Sequence, residues 1–60
     1  MKKLIIKHFE DEEVVEIYID EECIKTLNYD QHGSLGMSTG VNIAKGIAES
    51  LSLEVQEEYL

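Results

Sequence analysis

The stretch HGSLGMSTGVN, His32–Asn42, decides how the second half of this chain is built, and it holds three of the four glycines. It reads in two ways. Free amides at a helix N-terminus form a ready anion site, and glycines let a phosphate approach the backbone. A chain reversal that lets a helix pack closely uses the same residues. The spacing fits neither G-x-x-x-x-G-K-[ST] nor G-x-G-x-x-G, because the glycines fall at 33, 36 and 40 and Val41 and Asn42 follow Gly40. Lys45, the nearest lysine, lies more than a turn further on. Asp30 and Gly33 suit the first and fourth positions of a type I turn. Gly40, Ala44 and Ala48 form a line of small residues at four-residue spacing, which lets a helix lie against a neighbour. The structural reading is therefore preferred. The alternative is a phosphate- or nucleotide-type ligand held by Gly36, Ser38, Thr39 and Gly40, with a second subunit closing the site.

Downstream, the period becomes helical, with Ser38 or Thr39 as cap and Ala44, Ile47, Ala48, Leu51, Val55 and Tyr59 on one apolar face. The spacing predicts a helix over Gly40–Leu51. An extension to about Glu58 fits the same face, whereas Ser50 and Ser52 offer an earlier stop. Upstream, Leu4–Phe9 and Val14–Ile19 are β-branched runs that read as strands, joined by the four-residue EDEE, and Cys23–Tyr29 reads as a third. Alternation points Leu4, Ile6 and His8 of the first and Val15, Ile17 and Ile19 of the second toward the core. On the third, Ile24 and Thr26 compete with Cys23, Leu27 and Tyr29 for the inside. Ser34–Met37 suits a short fourth strand, with Gly36 marking a bulge. The joins are too short for parallel crossovers. The expected fold is α+β: a three- or four-stranded antiparallel β-meander followed by one C-terminal helix packed on the sheet, in a single domain spanning residues 1–60.

A domain of 60 residues buries only ~60% of the surface of its unfolded chain, and such domains commonly draw on disulfides, a metal or a second subunit. Cys23 is alone, so no internal disulfide is available, and a single thiol suits a reducing compartment. Metal-ligand spacing is absent. A homodimer and a cytoplasmic location are the resulting expectations.

Five lysines against 13 carboxylates give a net charge of −8, which repels nucleic acid and anionic lipid. No apolar run approaches the ~20 residues of a membrane span. Direct binding to nucleic acid or a membrane is not expected. Cys23, His8 and His32 have no spaced partners, and a thin domain offers little concavity for shifting a carboxyl pKa, so the chain is read as a non-enzyme without cofactor or metal. Cys23 is read as a small buried hydrophobe.

Residues 10–22 hold eight carboxylates and no basic residue. In an extended strand Glu12, Glu16, Asp20 and Glu22 project from one face together with Val14 and Tyr18, and neighbours two residues apart stand ~6.6 Å from one another. That spacing is close to phosphate spacing along a nucleic acid strand. The functional expectation is a small acidic interaction module, a regulator or inhibitor. Glu12, Val14, Glu16, Tyr18, Asp20 and Glu22 would dock on a basic surface of a protein partner, with Val14 and Tyr18 as apolar anchors.

Overall fold

The computed structural model describes residues 2–60. Strands β1 (Lys3–Phe9), β2 (Val14–Ile19) and β3 (Glu22–Asn28) form the expected antiparallel meander, followed by helix α1 (Tyr29–Ser50) and a last strand, β4 (Glu54–Tyr59). The sheet order is β3-β2-β1-β4, and β4 runs parallel to β1. The architecture is α+β, with one helix packed on a mostly antiparallel sheet, and the helix sits in mid-chain rather than at the C-terminus. It is the crossover that a parallel strand requires.

The register sorts the side chains. Leu4 pairs with Ile19, Ile6 with Ile17 and His8 with Val15, so the apolar alternation of β1 and β2 faces α1 as expected. On the other side of β1, Leu4 aligns with Val55, Ile6 with Glu57 and His8 with Tyr59. The core is small: Leu4, Ile6, Val15, Ile17, Leu27, Val41, Ala44 and Ala48, with Ile19, Met37 and Leu53 packed around it. Among the described residues, only Leu4 and Ile6 are large side chains that are completely buried.

On β3 a register shift between Ile17 and Tyr18 resolves the ambiguous alternation. Leu27 and Lys25 fall on the helix side opposite Val15 and Ile17, while Cys23 and Thr26 pair with Tyr18 and Glu16 on the outer side. Ile24 has no partner across the bulge. Cys23 is thus exposed, not buried, because β3 is the sheet edge and the outer face has no covering layer.

The turns use left-handed backbone without glycine. EDEE forms a 3-10 turn over Glu10–Glu12 that ends at Glu13 with φ 55°. At the β2–β3 turn Asp20 has φ 54°, and its backbone N–H and side chain both bond Lys3, at 3.0 Å each.

The helix begins eleven residues before the expected Gly40. Asn28 is its cap: the side-chain oxygen accepts from the Gln31 N–H at 2.8 Å, and the Tyr29 N–H bonds Glu13 O at 3.1 Å. Asp30–Gly33 is therefore a first helical turn, whose geometry resembles the type I turn expected there. Gly33 then departs from helical geometry with φ 69° and ψ 172°, which kinks the helix. Ser34–Met37 lies inside α1 and is not a strand. Gly40 is explained by packing, since a Cβ there would stand 2.7 Å from Leu27 Cδ1. With Ala44 and Ala48 it forms the line of small residues along which the helix meets the sheet.

α1 stops at Ser50 rather than running to Glu58. Leu53 N–H bonds Ala48 O at 2.8 Å and Ser52 N–H bonds Glu49 O at 3.2 Å, with Ser52 left-handed at φ 57°. This is a Schellman cap with serine in the usual glycine position. Beyond it, Val55 and Tyr59 are strand residues on the helix-bearing face, not the continuation of a helical stripe. α1 is not long and apolar enough to cross a membrane.

Candidate functional site

The six residues of the expected acidic face do not share one face. Val14, Glu16 and Tyr18 do, on the outer side of β2. Glu12 lies in the turn before the strand and Asp20 in the turn after it. Glu22 opens β3 opposite Ile19 and so belongs to the helix side. The strand between Glu12 and Asp20 separates them by about 20 Å at ~3.3 Å per residue.

Nor is the outer face a row of bare carboxylates. Lys7 lies between Glu16 of β2 and Glu58 of β4, and Lys3 aligns with Glu54. The Lys7 ammonium sits 4.7 Å from the centre of the Tyr18 ring, and the Tyr18 hydroxyl donates to Glu16 at 2.7 Å. That bond to a carboxylate, with burial second, pushes the Tyr18 phenol up to about 12. The negative charge in the middle of the face is thereby reduced by Lys7. Ile5, Phe9, Val14 and Tyr18 are half-buried in the sheet surface, with no second layer over them.

The densest run of carboxylates lies in the turn between β1 and β2. Glu10, Asp11, Glu12 and Glu13 are consecutive and exposed. Among the described residues, ion pairs are made only by Glu57, with His8 and Lys45, so these four carboxylates stand without a cation. Beside them the end of the sheet forms a hollow of about 160 Å³ between Phe9, Asp11, Glu12 and Leu60. Leu60 is held there because its N–H bonds His8 O at 2.8 Å. An apolar wall thus faces two carboxylates at the rim.

On the helix side, a cleft of about 510 Å³ opens between the first half of α1 and the β1–β4 pair. Three donors converge on one carboxylate: His8 Nε2–H at 2.9 Å and the Tyr59 hydroxyl at 3.1 Å to Glu57 Oε2, and Lys45 to Glu57 Oε1. The His8 and Tyr59 rings stack with centroids 4.4 Å apart. Lys45 first, then His8, holds the Glu57 carboxyl down at about 2. The Tyr59 phenol is raised, chiefly by its bond to Glu57, and Lys45 is raised by the same carboxylate. Such a group is a weak base, and phenol and ammonium are held protonated. The network ties α1 to β1 and β4. Period-two alternation of Val55, Glu57 and Tyr59 is the sequence signal that could have revealed it.

The other sequence candidates are dispersed. Gly36, Ser38, Thr39 and Gly40 lie within α1, where the amides at 38–40 point to carbonyls four residues earlier. No loop precedes a helix at Gly40, so the amides of Ser38, Thr39 and Gly40 are not the free helix-start donors expected there, and Gly36 lies in the turn that follows the break at Gly33. His32 Nδ1 donates to Asn28 O at 3.2 Å within the first turn of α1, whereas His8 lies in β1 and bonds Glu57. Among the described residues no group of three or more His, Cys, Asp or Glu is placed to hold a metal ion. No family model, no curated protein and no solved structure matches this chain.

Proposed function

We propose that this protein is a small, non-catalytic interaction module of the cytoplasm, a regulator or inhibitor that docks on a basic surface of a protein partner. The observation that carries the reading is the corner hollow of Phe9, Asp11, Glu12 and Leu60 next to the unpaired Glu10–Glu13 run. A lysine or arginine side chain has an aliphatic stem and a cationic end. The stem suits Phe9 and Leu60, and the cation suits Asp11 and Glu12. Glu12 of the expected surface lines this corner, Val14 adjoins it as the cross-strand neighbour of Phe9, and Glu16 and Tyr18 continue along the outer face. Asp20 and Glu22, at the far end, lie outside it.

The test is an amide NMR titration with an arginine- and lysine-rich peptide, at two salt concentrations. Saturable shifts centred on Phe9–Val14 and Leu60, weakening with salt and lost in Asp11→Lys/Glu12→Lys, are expected. The matched variant Glu21→Lys/Glu49→Lys, with the same charge change elsewhere, should retain them. Equal losses in both variants would mean diffuse attraction to a polyanion and would end the proposal.

A further inference from the structure

We propose that a second copy of this chain packs on the free flank of α1, helix against helix about a two-fold axis. The helix covers the sheet incompletely on the β3 side. There a groove of about 270 Å³ remains, floored by core residues Leu4, Ile17 and Leu27 and walled by Ile24, Ile43 and Ile47. Leu35, Ile43, Ile47 and Leu51 follow one four-residue row along α1, and with Ile24 they range from 49% to 81% exposed. Rows of this kind interlock between two helices in the commonest packing class.

Three observations select a second copy as the occupant. The first is area. These five side chains leave on the order of 500 Å² of apolar surface open per copy, at the upper end of a typical monomer's largest patch and most of the ~800 Å² per partner that a stable interface buries.

The second is charge. The only charged residue lining the groove is Lys25, on a chain of net charge −8. A basic partner has no carboxylate to meet here. Two copies that repel over most of their surface can approach along a groove that no carboxylate lines, and Lys25 shares its strand and sheet face with Glu22, so a two-fold arrangement offers each lysine a carboxylate of the other copy.

The third is the core. Two completely buried large side chains make a thin interior, and small domains commonly complete such an interior with a subunit. Covering the groove would extend the interior of each copy from Leu4 and Leu27 outward through Ile43 and Ile47. This surface is separate from the Phe9–Glu12 corner, so either proposal can fail alone.

Sedimentation equilibrium of the full chain from micromolar to submillimolar concentration tests it, with Ile47→Asp and Ile24→Lys as variants. Both residues are exposed in the single chain, so circular dichroism should be unchanged. The wild type should dimerise, and each variant, counted twice by symmetry, should weaken the dimer by on the order of 100-fold or more. Raising salt should tighten the dimer by screening like charges, opposite to its effect on a basic partner. A wild type that stays monomeric throughout, with or without binding of an apolar dye in the groove, would overturn the proposal. So would a dimer that both variants leave intact.

Discussion

Gly40→Ala and Gly46→Ala are the same chemical change six positions apart in one helix, and the structure gives them different outcomes. In a helix interior, alanine is more favourable than glycine by ~1 kcal/mol, through both propensity and reduced unfolded-state freedom. At Gly46 a Cβ meets nothing within 4 Å, so most of that gain should appear as stability. At Gly40 the Cβ would stand 2.7 Å from Leu27 Cδ1 and 3.4 Å from its Cδ2. Leu27 is a buried core residue and has little room to retreat. Overpacking of this kind costs about 1–3 kcal/mol, which offsets the helical gain or exceeds it.

The two variants should therefore differ by about 1–3 kcal/mol, with Gly46→Ala the more stable, which in a domain of this size is at least ~4 °C in melting temperature. Urea melts and thermal melts of the purified variants read this directly. A cycle sharpens it: in a Gly46→Ala, Leu27→Ala background, where the opposing methyl groups are gone, Gly40→Ala should become stabilising. Leu27→Ala alone should cost about 2–5 kcal/mol, which is why the stabilised background is used. If Gly40→Ala raises stability as much as Gly46→Ala in the presence of Leu27, the helix does not lie on β3 at this point and the packing argument is wrong.

Ser52 holds the left-handed position of the Schellman cap, where a side chain costs roughly 1 kcal/mol that glycine avoids. Ser52→Gly should stabilise by somewhat less than that, since glycine also frees the unfolded chain, and a loss of stability in urea melts would contradict the cap. Glu57 is held down at about 2 in the folded chain, by Lys45 and then His8. Its contribution is thus complete above the unfolded carboxyl range near pH 4.5 and is lost as pH falls toward 2. Because His8, Lys45 and Glu57 are only partly buried and water screens the pairs, the contribution is on the order of 1 kcal/mol. The stability gap between wild type and Glu57→Gln should be present in full at pH 7 and shrink steadily below pH 4.5 toward pH 2, and a gap of equal size at pH 7 and pH 2 would show that charge is not what the network supplies.

Much of the fold follows from local pattern. Alternation in LIIKHF and VVEIYI determined which residues of β1 and β2 face inward, because a strand on a one-sided core has period two. The short EDEE and DEE joins made an antiparallel meander the simplest arrangement, and the small residues at 40, 44 and 48 marked the side of the helix that meets the sheet. At the helix start, Asn28 followed by Gln31 was a readable cap signal, but Asp30–Gly33 also fits a turn, and the two share local geometry. Composition determined the charge, the lone thiol and the lack of a membrane-length apolar run.

Tertiary structure decided the rest, and in each case the reason is pairing between residues distant in sequence. EVQEEY places Val55 and Tyr59 four apart, which satisfies a helix, and leaves Val55, Glu57 and Tyr59 alternating, which satisfies a strand. The Ser52 cap and the free edge of β1 select the strand, since backbone groups there gain partners only from β4. The acidic face was likewise settled by neighbours. Lys7, placed between Glu16 and Glu58 by register, interrupts the carboxylates of the outer face, and the densest acidic run falls in the turn between β1 and β2. The Glu57 network joins β1, α1 and β4 across 49 residues of chain, and the Phe9–Leu60 hollow joins opposite ends of it. Local preference carries no information about such meetings until the sheet order is known.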